Sequence, residues 1–548
     1  MSSLQTLDKM SPAPWNFATG FMAVVLLGVF LLQYPTEVTP DGTGYLIGAK
    51  FIAKGAGYVS YGVNSQEIIP QIDWPPLYSF LIALGIKLTG LKDLYALRMI
   101  NFLALCMGYI FFYKLSILFF KDKKFQTTAN FLIFISPILW SYVNVALSEP
   151  LFSSLFGAAF FFLLRAVSSN TKFKRNGLLF VAGLLTMLLC LTKYSGLFMA
   201  ISFSLFLLAT QRPPRFRERA AGFFLFAAPV LLGAGAWFLR NWFLSRHWSF
   251  LETYPSRPLF ENFFAVEASF IRNLVEYMLG YSSYKWSPPC LGFIPPLIFL
   301  ACLLPVLKLL YAERKLFFFD SKGSSFPLLF LLTFAVYVAA MNLVRLKTGF
   351  GENSRYFIVL SPVLALFVLF LIRALTQDKI SSPGFFKYGS LAILGGFLLL
   401  SSFFNSITLL KQIHGIFKGK GTDTVVPGAI STSFENSKWV YELLQTQIKS
   451  DDIIISNDHT FLSYAADRPC RGTDSGYGRD AIGFRGFDKP GLALEEVKNT
   501  SRQVYLILDK NLPCFLPDKP QWKEYIEGLH FEVIREDAFG IVLRLLEA

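Results

Sequence analysis

Apolar stretches close to the ~20 residues that a bilayer crossing requires recur along this chain. They lie at roughly 15–34, 96–119, 127–147, 150–167, 176–192, 194–210, 220–243, 290–311, 325–344, 355–373 and 388–410. Backbone in hydrocarbon must satisfy its own hydrogen bonds, so stretches of this length and polarity predict helices. The composition agrees. The 548 residues are 53% hydrophobic and 17% aromatic, with mean hydropathy +0.47, too apolar for a soluble chain of this length. The expected fold class is therefore a polytopic α-helical membrane protein of about eleven spans.

A further apolar stretch, Pro76–Thr89, is short for a span and typical of an interfacial or re-entrant helix. Loop charge decides its placement. If it lies flat on the outer side, Lys121/Lys123/Lys124, Arg165/Lys172/Lys174/Arg175, Arg212/Arg215/Arg217/Arg219, Arg314/Lys315 and Lys379/Lys387 all fall inside. If it spans, every cluster moves outside, against the positive-inside rule. The net charge of +14 thus marks orientation and not a nucleic-acid footprint. The expected layout is a cytoplasmic tail at 1–14, a membrane domain at 15–410 and an extracytoplasmic C-terminal domain at 411–548. Within the membrane domain, the outer loops are 35–95 and 244–289. One lysine precedes the first apolar run and no small-residue cleavage site follows it, so an uncleaved first span is expected.

The tail beyond residue 411 opens on Lys418-Gly419-Lys420-Gly421, which lacks phosphate-binding-loop spacing. A helical pattern at 434–448, apolar runs at Ile453–Ile455 and Val504–Leu508, and a hairpin pattern at His530–Arg535 with Ile541–Leu545 predict a small α/β domain. Six cysteines show no C-x-x-C spacing, which argues against a zinc or redox site. Cys470 and Cys514 could pair in an oxidising outer compartment or stay free. His247, His414, His459 and His530 are scattered and read as surface or packing residues.

Chemistry is expected in the first outer loop and around it. Tyr45, Leu46, Ala49, Ile52 and Ala53 fall on one helical face, which predicts an amphipathic helix on the membrane surface with Asp41 at its N-terminus. Asp73 precedes Pro75-Pro76, and Glu149 opens the stretch at 150–167. Each acid alone is accounted for as a cap or as a complement to a helix dipole. Together they fall on one membrane face, where ionisable residues are functional candidates. Lys193, Arg345, Lys347 and Arg355 put cations on the same face, against the charge bias. They read either as snorkelling anchors or as contacts for an anionic ligand such as a lipid-linked phosphate. Carboxylates and cations at such a mouth suit transfer from a phosphate-bearing lipid, with a general base on the acceptor and fixed charge on the departing phosphate. A divalent metal, Mg²⁺ or Mn²⁺, held by Asp41 and Glu149 would assist such a transfer, and the sequence leaves open whether one is needed.

Five motifs in order carry a resemblance: Asp41-Gly42-Thr43-Gly44-Tyr45, Trp74-Pro75-Pro76-Leu77-Tyr78, Ser148-Glu149-Pro150-Leu151, Leu191-Thr192-Lys193, and Arg355-Tyr356 with Pro362. Over about residues 15–375 the chain resembles the GT-C superfold of polyprenyl-phosphate-sugar-dependent glycosyltransferases. Within it, the chain is similar to the bacterial branch related to protein O-mannosyltransferases and to the aminoarabinose transferases of lipid A. The resemblance implies an inverting transferase with Asp41 as the leading catalytic residue and Asp73 and Glu149 as further acids. It implies donor-phosphate contacts at Lys193, Arg355 and Tyr356, with Tyr45, Trp74 and Tyr78 touching substrate. The partners it implies are a polyprenyl-phosphate-sugar donor and a glycan, glycolipid or protein acceptor. Many members carry a second acid after the leading Asp, where this chain has Gly42, so the metal stays open. The rival readings are a lipid or solute transporter, which would show a duplicated half, and a non-catalytic subunit of surface-polysaccharide assembly, which would tolerate loss of Asp41.

Overall fold

The computed structural model describes residues 14–31, 38–61, 68–120, 122–135, 142–169, 171–210, 216–248, 325–348, 359–376, parts of 388–399, 438–456, 459–468, 470–472, 502–509, 530–536 and 540–547. The chain begins with α1 (Pro14–Leu31) and α2 (Pro40–Ala53), then a small antiparallel hairpin of β1 (Val59–Tyr61) and β2 (Ile68–Pro70). Helices α3 (Leu77–Thr89), α4 (Asp93–Phe119), α5 (Lys123–Phe134), α6 (Glu149–Val167) and α7 (Lys172–Thr192) follow. Next come α8 (Gly196–Thr210), α9 (Phe216–Ser245), α10 (Ser325–Thr348) and α11 (Ser361–Thr376). Among the described residues, α4, α6, α7, Ala220–Ser245 of α9 and Phe326–Val344 of α10 are long and apolar enough to cross a bilayer. The protein is a polytopic helical membrane protein. Shorter apolar helices occupy the expected stretches at 15–34, 194–210 and 355–373. The stretch at 290–311 and most of 388–410 lie outside the described residues.

Two sequence expectations need correction. The stretch at 127–147 is not one span: α5 ends at Phe134, and 142–147 is turn and bridge. Non-helical backbone here is tolerated because it is buried and its carbonyls are satisfied. The Asn101 amide on α4 donates to the carbonyls of Tyr142, Val143 and Val145 at 3.2, 3.3 and 2.9 Å. Helix α2, in turn, does not lie with one face on the surface. Residues 42–49 are all buried, so protein encloses this helix on every side of its first turns. Helix α3 keeps the expected interfacial character, with Tyr78, Ser79, Ile82, Ala83 and Gly85 buried and Phe80, Leu84 and Leu88 exposed.

The C-terminal region contains α12 (Lys438–Thr446), β3 (Ile453–Ser456), α13 (His459–Ala466), β4 (Arg471–Gly472), β5 (Val504–Asp509), β6 (His530–Glu536) and β7 (Gly540–Glu547). The strands form a five-stranded sheet in the order β4-β3-β5-β7-β6, parallel across β4, β3 and β5 and antiparallel beyond. Alternation along β3 and β5 sends Ile453, Ile455, Val504, Leu506 and Leu508 to one face. Ile454, Tyr505 and Ile507 point to the other face, where they join Leu443, Leu462 and the core of the membrane bundle. Cys470 is a buried free thiol; Cys514 lies outside the described residues.

Candidate active site

Asp41 stands in the first turn of α2 but does not cap it. Thr39 is the N-cap, with Oγ1 accepting the Gly42 N–H at 3.0 Å, and Pro40 fills the first helical position. Gly42 and Gly44 let the helix seat itself. A Cβ on Gly42 would lie 2.4 Å from the Ala146 carbonyl oxygen, and one on Gly44 would lie 2.6 Å from the Trp74 ring. The first close approach brings the Asp41 turn against the broken segment that leads into α6. The Tyr45 and Ser148 hydroxyls share a hydrogen bond of 3.0 Å, which locks the same two pieces.

Glu149 opens α6 and is closed to solvent; Lys193 ends α7 in extended conformation. Lys193 Nζ donates to Glu149 Oε1 at 2.6 Å. Burial pushes the Tyr45 hydroxyl well above its ordinary pKa; Glu149 and Asp41 nearby add to that, while the Ser148 hydrogen bond opposes it. Tyr45 thus lies within electrostatic reach of both acids.

Asp73 follows Ile72, whose carbonyl meets the turn after Lys193. Tyr194 Oη donates to the Ile72 carbonyl at 2.6 Å and receives Trp237 Nε1–H at 3.2 Å and Asn241 Nδ2–H at 3.3 Å. Burial raises the Tyr58 hydroxyl and the Asp73 charge adds to that, while the Ser79 hydrogen bond and Arg240 oppose it. Arg240, near the end of α9, donates to the Gln71 and Tyr58 carbonyls at 2.9 Å each and stands over the Trp237 ring at 4.8 Å. The Tyr45–Ser148 bond thus joins the helix that carries Asp41 to the start of α6, and the Tyr194–Ile72 bond joins the α7–α8 turn to the loop that carries Asp73.

The aromatic candidates divide. Tyr45 and Tyr78 are 1% and 0% exposed and meet edge to face; Tyr78 Oη donates to Asn101 Oδ1 at 2.8 Å. Trp74 is partly buried. Arg355 and Tyr356 lie outside the described residues, as do the side chains of Arg345 and Lys347. Sequence reasoning missed Arg240, Asn101 and Tyr58 as organisers of the site. An arginine inside the apolar stretch 220–243 was the available signal for the first. Among the described residues, no group of three or more His, Cys, Asp or Glu is placed to hold a metal. Glu149 is engaged by an ammonium, which fits an ion pair better than a cation ligand set.

In its helical bundle this chain has the GT-C fold, which it shares with solved structures at low sequence identity. It is similar along its length to solved structures of ArnT from Cupriavidus metallidurans. The apo form matches with TM-score 0.54 and 13% identity over 97% of this chain and 98% of that one. The form bound to undecaprenyl phosphate matches with TM-score 0.53, at the same identity and coverage. The Archaeoglobus fulgidus oligosaccharyltransferase tethered with an acceptor peptide matches with TM-score 0.50 and 12% identity, over 96% of this chain and 74% of that one. No protein-family model matches the sequence, and no curated protein does.

Proposed function

We propose that this protein is an integral-membrane glycosyltransferase that moves a sugar from a polyprenyl-phosphate donor to a hydroxyl or amine acceptor on the extracytoplasmic face. What supports this reading is the buried Lys193–Glu149 pair on a GT-C fold, with the helix that carries Asp41 tied to the residue before Glu149 through Tyr45 and Ser148. The binding of undecaprenyl phosphate by the ArnT structure supports the donor class.

In this reading Asp41 accepts the proton of the acceptor O–H or N–H as that atom bonds to the anomeric carbon. The bond from that carbon to the phosphate oxygen breaks with inversion, and polyprenyl phosphate leaves with the electron pair. Lys193, oriented by Glu149, and Arg355 with Tyr356 beside it stabilise the charge that develops on the phosphate. Asp73 orients the acceptor. Tyr45 and Tyr78 act as packing spacers that hold α2 in place, and Trp74 supplies the ring surface for substrate.

The N-terminal tail at 1–14 is cytoplasmic in this reading, the membrane domain spans 15–410, and the region from 411 onward faces out from a bacterial inner membrane, where with the 244–289 loop it shapes acceptor choice. Purified protein in nanodiscs, supplied with labelled polyprenyl-phosphate sugars, tests the function. Wild type should release polyprenyl phosphate, and Asp41→Asn should slow release by about a hundredfold or more at unchanged donor affinity. Equal turnover by Asp41→Asn, or movement of intact donor across sealed vesicles, would overturn the reading.

A further inference from the structure

We propose that the C-terminal region clamps the acid-bearing helix from its far end, with Tyr464 and Asp467 as positioning residues for the sugar transfer proposed above. Helix α2 carries Asp41 in its first turn, Lys50 in its last and Lys54 at its C-cap. Both lysines are held by α13 and the residue that follows it. Lys50 Nζ donates to the Tyr464 carbonyl at 3.3 Å and stands 4.1 Å over the Tyr464 ring. The same ammonium lies 3.7 Å from the Asp93 carboxylate and 3.9 Å from that of Asp467. Tyr464, 7% exposed, donates its hydroxyl to Asp93 at 2.9 Å. Lys54 donates to Asp467 at 2.7 Å, and the Tyr61 hydroxyl reaches the other oxygen of that carboxylate at 3.4 Å.

Three elements far apart in sequence therefore meet at one cation: the end of α2, the start of α4 and the end of α13. Asp467 adopts φ 51°, the left-handed conformation that ends helices and that Asp, Asn and Gly tolerate. The chain is bent there so that its carboxylate turns toward the lysines. A helix is a stiff rod, and the span from Asp41 to Lys54 is about 20 Å. A tilt of about 3° at the clamped end moves Asp41 by about 1 Å, and a displacement of about that size costs on the order of a hundredfold in rate. The exposed Lys54–Asp467 pair contributes little alone. Lys50, enclosed by Tyr464 and two carboxylates, makes the stronger hold.

Hydrogen exchange on the full-length protein in nanodiscs tests the clamp without a substrate. Lys50→Met, Tyr464→Phe and Asp467→Asn, the last keeping the left-handed backbone, should each raise exchange over residues 43–54 by about threefold to tenfold. Exchange in β5 and β7 should stay at the wild-type level. The double variant Lys50→Met with Tyr464→Phe should exchange no faster than the larger single, because both break one unit. Transferase assays should show kcat falling with donor KM unchanged. Unchanged exchange at 43–54, or additive effects in the double variant, would overturn the proposal. Should Tyr464→Phe also raise exchange in β5, Lys50→Met, which leaves the C-terminal region untouched, decides alone. A wild type that turns over no donor removes the sugar-transfer reading, while the exchange result still decides the clamp.

Discussion

Lys193 Nζ stands 2.6 Å from Glu149 Oε1, with the lysine side chain 12% exposed and the glutamate closed to solvent. Taking both charges out of water offsets most of their mutual attraction, so the pair is poor evidence of stabilisation for its own sake. Losing one partner is another matter, because it strands a buried charge. Lys193→Met should destabilise the protein by about 3–5 kcal/mol, read as a clear drop in Tm. Glu149→Gln with Lys193→Met should recover most of that loss and still turn over no donor. A double variant as unstable as Lys193→Met, or one that retains activity, would argue against this account of the pair.

Gly42→Ala tests the seating of the Asp41 turn. The new methyl would lie 2.4 Å from the Ala146 carbonyl oxygen and 2.6 Å from the Ala146 Cβ, and backbone cannot swing aside as a long side chain can. Overpacking of this kind costs about 1–3 kcal/mol, and the strain should fall on the geometry of Asp41, lowering kcat by about tenfold or more. Gly177→Ala is the control. Nothing lies within 4 Å of its added Cβ, so it should leave turnover unchanged and stabilise α7 by about 0.5–1 kcal/mol.

Much of this architecture was legible because bilayer physics writes it in long runs. The stretches at 96–119, 150–167, 176–192, 220–243 and 325–344 fall on α4, α6, α7, α9 and α10, since an apolar run of that length has few alternatives to a helix. The break at 142–147 was not legible. Its residues are as apolar as a span, and what stabilises the break is one amide, Asn101, supplied by another helix. The enclosure of α2 was misread for a related reason. Its exposed-looking residues Thr43, Gly44 and Gly48 are small and so permit close approach, a property that amphipathic patterning scores as polar. That Asp41, Asp73 and Glu149 converge is an expectation drawn from the sequence; the contacts of Gly42 with Ala146 and of Tyr45 with Ser148, which join α2 to the start of α6, are announced by neither partner.

The clamp carries a pH dependence of defined sign. Burial pushes the Asp467 carboxyl up, but the Lys54 hydrogen bond, the Lys50 and Lys54 charges and the Tyr61 hydroxyl outweigh it and hold the group below the ordinary carboxylate range. A carboxyl depressed on folding contributes stability that is fully present above its unfolded pKa of about 3.9 and lost as pH falls through the folded value. The Tm difference between wild type and Asp467→Asn should therefore hold constant from pH 8 to about pH 5 and shrink below about pH 4. A difference that changes between pH 6 and 8 would show that another group governs the contact.

Arg240 distinguishes charge from geometry at the Asp73 flank. Its guanidinium reaches the Gln71 and Tyr58 carbonyls with separate nitrogens and stands 4.8 Å from the centre of the Trp237 ring, so it ties both ends of the β1–β2 hairpin to α9. A lysine ammonium supplies the charge without the planar fork. Arg240→Lys should lose one of these hydrogen bonds and the contact with the Trp237 ring, about 1.5–3 kcal/mol, and should raise hydrogen exchange over residues 58–61 and 68–74. Since Asp73 follows Gln71 by two residues and donates its N–H to the Gln71 side chain at 3.2 Å, the loosening should also reach that acid and lower turnover. An Arg240→Lys protein with wild-type stability and exchange would mean that positive charge alone is what this position requires.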